Sequence, residues 1–156
     1  LRVFDQLRNK VKNITFSTDI IVGFPNETEE QFEDTIKMID YCKFDNVYTF
    51  IYSPRAGTPA SRMEDNVTLE VKRNRLKILN QKVAQYALLN NKGLIGSIQN
   101  VLVDGPSKKN EHVYSGYTEG NKLVNFVPKN AKTGMIVQVK ITSANTWTLK
   151  GEEISS

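Results

Sequence analysis

From Ser97 onward the apolar residues of this 156-residue chain recur at every second position, the period of a half-buried strand. Five short runs carry the pattern: residues 97–103, 113–118, 122–127, 135–142 and 146–150. The fourth is the cleanest. Met135, Val137, Val139 and Ile141 point one way, and Gln138, Lys140 and Thr142 the other. Glu119-Gly120-Asn121 and Ser143-Ala144-Asn145 separate runs with residues that tolerate positive φ. Five short strands with little helix predict a small OB-like or SH3-like antiparallel β-barrel. Trp147 and Leu149 are expected to complete its core.

The chain before Ser97 obeys other periods. Val3, Leu7 and Val11 fall at steps of four, marking one helical face. Ile14 to Val22 reads as a strand that becomes apolar on both faces, as in a buried parallel sheet. Gly23-Phe24-Pro25-Asn26 breaks it, and Thr28 with Gln31 three residues on writes a capping box for the next helix. Glu27, Glu29 and Glu30 stand at the positive end of that helix dipole. Phe32, Ile36, Ile39 and Cys42 form its buried stripe, and Val47 to Tyr52 supplies a second strand. Helix, strand, helix, strand implies parallel pairing with a right-handed crossover. Gly23-Phe24-Pro25 and Ser53-Pro54-Arg55 then share one rim at the strand C-termini, where such folds place ligands; tight turn chemistry alone is the plainer reading of both. Two strands cannot protect their own edges, so this part is expected to borrow neighbours from a longer chain. Thr68 to about Asn91 reads as a connecting helix whose buried face holds Leu69, Leu76, Leu79, Val83 and Tyr86. Arg75 and Lys82 flank that face on one side and Arg73 and Lys77 on the other, predicting a solvated surface.

Charge and cysteine usage narrow the chemistry. The formal charge is +4, and residues 91–156 hold 8 Lys against 5 acidic residues. That excess fits nucleic-acid contact, although surfaces that bind nothing also carry as much. Cys42 is the single cysteine and His112 the single histidine, so neither an intramolecular disulfide, a zinc site nor an iron–sulfur site can be assembled from this sequence. No apolar run approaches the roughly 20 residues of a membrane span, and a cytoplasmic location is expected. Leu1 rather than Met at the start suggests a piece of something longer. The barrel instead offers a binding surface. Lys108 and Lys109 are natural phosphate contacts in a Gly-Pro-Ser-Lys-Lys loop. If Leu123 and Val127 point inward, Lys122 and Phe126 face out as a phosphate contact and a stacking ring; in the opposite register Asn125 is exposed to read a base edge; the plainer alternative puts Phe126 in the core and leaves the lysines only to solubilise.

The runs Asp19-Ile-Ile-Val-Gly-Phe-Pro-Asn-Glu-Thr-Glu-Glu-Gln-Phe, Phe50-Ile-Tyr-Ser-Pro-Arg-Ala-Gly-Thr-Pro-Ala and Val101-Leu-Val-Asp-Gly-Pro-Ser-Lys-Lys resemble the radical-SAM methylthiotransferases. Thr118-Glu-Gly-Asn-Lys-Leu-Val-Asn-Phe points to their MiaB type, the tRNA 2-methylthio-N6-isopentenyladenosine synthases. The resemblance implies an α/β part followed by an all-β part: residues 1–65 as the last βα units of a radical-SAM partial TIM barrel, 66–92 as a connecting helix, and 93–154 as a TRAM domain that binds tRNA. It implies a parent enzyme that adds a methylthio group at C2 of isopentenyladenosine beside the anticodon, using S-adenosylmethionine and two 4Fe-4S clusters. The cluster cysteines lie outside this sequence, so the isolated chain is expected to be inert. Ile21, Val22, Gly23, Ser53 and Arg55 match positions on the S-adenosylmethionine side of that barrel, and Lys108, Lys109, Tyr117, Lys122, Asn125 and Phe126 are the candidate RNA contacts. The sequence departs from the family at Asn26, usually Gly, and at Tyr117, often Arg. The expected partner is a tRNA anticodon stem-loop, with neither membrane nor DNA, and a monomeric state. A non-catalytic RNA-binding module, or a sister enzyme acting on threonylcarbamoyladenosine tRNA or a ribosomal protein, is the competing expectation.

Overall fold

The computed structural model describes residues 1–108 and 110–154. The chain divides into two compact units, one of residues 16–86, the other joining residues 1–15 to the chain from Ala87 onward.

In the first unit, β1 (Ser17–Val22) and β2 (Asn46–Ile51) pair in parallel, with Val22 opposite Ile51. Helix α2 (Glu29–Cys42) crosses between them. Its capping box forms as expected: the Thr28 hydroxyl accepts from the Gln31 N–H at 3.2 Å, and the Gln31 side chain accepts from the Thr28 N–H at 3.0 Å. The helix stops at Lys43, which adopts a left-handed conformation. Ile20, Val22, Phe32, Ile39 and Val47 bury against Leu79 and Val83 of helix α3 (Leu69–Lys92), with Cys42 buried on the same helix as Phe32 and Ile39. Leu69, expected on that buried face, is exposed.

Arg75 of helix α3 also departs from the expected solvated surface, and Lys72, one turn before it, is buried as well. Arg75 is 5% exposed and Lys72 is 7% exposed. Arg75 Nη1 donates to the Glu27 carboxylate at 2.7 Å and to the Glu27 carbonyl at 3.0 Å, and Nη2 donates to Glu29 at 3.1 Å. Lys72 pairs with Asp65. These cations are buried because acidic partners from other segments meet them, which is the condition for burying charge.

In the second unit, β3 (Ile98–Ser107), β4 (Asn110–Thr118), β5 (Leu123–Val127), β7 (Leu149–Glu153) and β6 (Ile136–Ala144) close into a barrel in that order. The expected barrel was antiparallel; β5 and β7 instead pair in parallel. Strands of alternating direction cannot close a ring of five, so one neighbouring pair must run the same way. The core holds Val101, Val103, Val124, Phe126, Val137, Val139, Ile141 and Leu149. Gly116 and Gly151 lie where a side chain has no room: a Cβ on Gly116 would stand 2.3 Å from the Leu102 carbonyl oxygen, and one on Gly151 2.5 Å from that of Lys140. The Glu153 carboxylate accepts from the backbone N–H groups of Lys129, Asn130 and Ala131, pinning the β5–β6 connection. Segment 1–15 belongs with the barrel, and Thr15 Oγ1 donates to the Gly120 carbonyl at 3.1 Å. Helix α1 (Arg2–Lys10) leaves Val3 and Leu7 exposed.

Candidate nucleic-acid interface and strand-end pocket

The parallel register brings the C-terminal ends of β1 and β2 to one edge, where a cavity of about 580 Å³ opens within the first unit. Ile21, Phe24, Phe50, Tyr52, Ser53 and Arg55 are among its lining residues. Phe24 meets Tyr52 edge-to-face at 5.1 Å between ring centroids. The Tyr52 hydroxyl is buried without a hydrogen-bond partner among the described residues. Of the five residues singled out for this rim, Ile21, Ser53 and Arg55 line the cavity. Val22 points into the core, fully buried. Gly23 takes φ 72° beneath Lys72, whose Cγ would lie 2.4 Å from an added Cβ. The loop conformation is fixed from behind: Gly23 N–H donates to the Glu27 carboxylate at 3.0 Å, the same group that receives Arg75. Asn26, with φ 65°, occupies the left-handed region that a glycine would enter freely.

On the barrel the register resolves the alternative left open by β5. Val124 and Phe126 point inward and Val127 outward, so Phe126 is a core residue at 1% exposure, packed edge-to-face on Tyr114 at 6.4 Å. Its ring is therefore withdrawn from the surface, contrary to its place among the candidate RNA contacts. Asn125 is half-buried on the outward side and pairs with Lys150 of β7. Tyr117 is exposed, opposite Leu102 of β3 and Leu123 of β5. Leu102 in turn stands opposite Ile136, both exposed, so an aromatic–aliphatic row crosses β4, β3 and β6. Asn100 and Gln138, opposite each other, lie in the next outward row. Lys122 Nζ donates to the Asn91 side-chain oxygen at 2.8 Å, so it is tied to the end of α3. Lys108 is exposed in the β3–β4 turn, and Lys109 lies outside the described residues.

An exposed ring and aliphatics beside amides, on a barrel that also carries exposed lysines, suit unstacked bases and a phosphate backbone. A closed five-strand barrel with its third and fifth strands parallel is where such a surface is expected.

The barrel matches the TRAM domain. The match spans residues 92–154. Across 152 residues, 97% of this chain, the sequence is 51% identical to a tRNA-2-methylthio-N(6)-dimethylallyladenosine synthase of Bacillus cytotoxicus and 52% identical to one of Bacillus mycoides. A synthase of the same name from Bacillus cereus is 51% identical over the same span. The chain covers about 30% of the length of these relatives. The similarity thus runs through the strand-end pocket as well as the TRAM barrel.

Cys42 is buried in the first unit, and among the described residues no three His, Cys, Asp or Glu side chains gather into a metal-binding group. Among the described residues no helix is long and apolar enough to cross a membrane.

Sequence pattern missed two features of these sites. Trp147 is exposed rather than core, because β7 begins only at Leu149 and residues 145–148 form a turn. The Arg75–Glu27 support behind the pocket joins residues 48 positions apart, which no local pattern reports.

Proposed function

We propose that this chain is the tRNA-binding and pocket-closing part of a radical-SAM methylthiotransferase that adds a methylthio group at C2 of isopentenyladenosine in the anticodon loop. The observation that carries the reading is identity above one half sustained over 97% of the chain, through both the pocket loops and the TRAM barrel. In this reading the TRAM barrel captures the anticodon stem-loop through Tyr117, Asn125 and the lysines around them. Residues 16–65 contribute the last strands of the partial barrel.

Those strands also contribute one wall of the S-adenosylmethionine site. Ile21 and Phe50 would supply an apolar lining for the adenosyl group, and Ser53 and Arg55 polar and cationic groups for the rest of the cofactor. S-adenosylmethionine supplies the radical and methyl chemistry when bound. This chain's residues hold and orient it. The two clusters depend on cysteines supplied elsewhere in the parent, so the isolated chain does not cleave S-adenosylmethionine.

A chimera tests the reading. This chain replaces the equivalent segment of the Bacillus cytotoxicus synthase in cells lacking their own enzyme, and tRNA nucleosides are analysed by mass spectrometry. The methylthio nucleoside is the expected product. Accumulation of the unmodified isopentenyl nucleoside, from a chimera with normal abundance and cluster content, contradicts the reading.

A further inference from the structure

Trp147 stands outside the barrel core. It is 55% exposed, although an indole loses more by contact with water than almost any other side chain. The backbone turn that carries it is held in place. The Asn145 N–H donates to the Thr148 carbonyl at 2.8 Å, closing a turn, and Ala144 pairs with Leu149 directly behind it. Asn91, 5% exposed, anchors that turn with one amide group: Nδ2 donates to the carbonyls of Asn145 at 2.9 Å and Thr146 at 3.0 Å. The other end of the same amide accepts from Lys122. One buried side chain thus makes two bonds to the turn that displays the indole and one to the lysine beside it.

Strand register places this turn on the same end of the barrel as Tyr117. Leu149 is opposite Val124, so the residues before Leu149 lie toward Lys122 and Leu123, and Leu123 is opposite Tyr117. In barrels of this topology the face of the second and third strands, with the connection between the fourth and fifth, receives oligonucleotides. Here that face carries Tyr117 and that connection carries Trp147. Lys122 and Lys150 adjoin it, in a segment with a net charge of +3 from 8 Lys and 5 acidic residues over positions 91–156.

We propose that Trp147 is a base-stacking residue of the RNA surface, pre-positioned by Asn91, and that its occupant is an unpaired base of single-stranded or loop RNA. The inference rests on the proposed RNA-binding role of the barrel. A ring carried on a pre-formed turn needs no backbone ordering when a base stacks on it, and stacking is indifferent to base identity. Trp147 therefore adds affinity, while the neighbouring amides supply any preference among bases.

Trp147 is the only tryptophan of the chain, so its emission reports on this site alone. The 156-residue chain is titrated with an anticodon stem-loop, following anisotropy of a fluorescein-labelled RNA and, separately, tryptophan emission with unlabelled RNA. Quenching with the same midpoint as the anisotropy change is expected. Trp147→Ala should weaken binding roughly 5- to 100-fold, the loss of one base–aromatic stack, with Trp147→Phe retaining most of the affinity and both variants melting like the parent. Anisotropy that rises while emission stays constant and Trp147→Ala binds normally overturns the inference and leaves the RNA-binding role standing. No anisotropy change at low salt overturns both.

Discussion

Arg75 Nη1 lies 2.7 Å from the Glu27 carboxylate, and both side chains are largely withdrawn from water. The same Glu27 carboxylate receives the Gly23 N–H, so the pair joins α3 to the loop that walls the strand-end cavity. Removing one partner of a buried ion pair strands the other charge, at roughly 3–5 kcal/mol. Arg75→Ala should therefore destabilise the first unit by about that amount, read by chemical denaturation. Arg75→Met with Glu27→Gln should lose less than the two single changes summed. Additive losses would show that the pair is not coupled.

Phe126 and Tyr117 test the register of the barrel from opposite sides. Phe126→Ala empties a core position and should cost about 3–5 kcal/mol of barrel stability. Tyr117→Ala should leave the melting curve nearly unchanged and weaken RNA binding by roughly 1–3 kcal/mol, one stacked base. Thermal melts and anisotropy on the two variants separate these effects. A stable Phe126→Ala barrel would contradict the register.

Gly116→Ala and Gly151→Ala should each prevent normal closure of the barrel, because the added Cβ meets a backbone carbonyl of the neighbouring strand well inside contact distance. Backbone oxygens in a ladder cannot swing aside as a side chain can. The expected result is loss of the cooperative unfolding transition, measured by circular dichroism. Gly57→Ala, where nothing lies within 4 Å of the new atom, should carry only the backbone strain of a φ of 84° and leave the transition cooperative.

Glu153 gives the barrel an acid dependence. Burial opposes its charged form, but the three backbone N–H groups of Lys129, Asn130 and Ala131 outweigh that and hold the carboxyl below its ordinary value of 4.5. A lowered folded-state pKa contributes stability above the unfolded value, and the contribution fades as pH falls through the folded one. Barrel stability should decline as the pH drops below about 4.5, and Glu153→Gln should be less stable at neutral pH with a shallower acid decline. Denaturation midpoints at several pH values check this. An unchanged acid slope in the variant would remove Glu153 from the account.

What the sequence disclosed follows the range of each interaction. The capping box of Thr28 and Gln31 was legible because it closes within four residues. β6 was legible because Val137, Val139 and Ile141 alternate with polar neighbours. β5 was not: Leu123 and Val127 compete with Val124 and Phe126 for the interior, and only pairing with β4 and β7 decides between them. The same limit hid Trp147, whose alternation with Leu149 runs through a turn held by Asn91, more than fifty residues earlier. Arg75 looked solvated because Glu27 and Glu29 lie 46 or more positions away. At the cavity, turn chemistry revealed the rim, but Val22 and Gly23 serve the core and the loop backbone behind it.

The central claim, that the barrel captures RNA through its exposed face, is tested most directly by titrating the 156-residue chain with a tRNA anticodon stem-loop across a salt series. The account predicts saturable binding whose logarithmic affinity falls linearly with the logarithm of salt, and a slope about one unit shallower in Lys150→Ala. Absence of binding at low salt, or binding with no salt dependence, would contradict it.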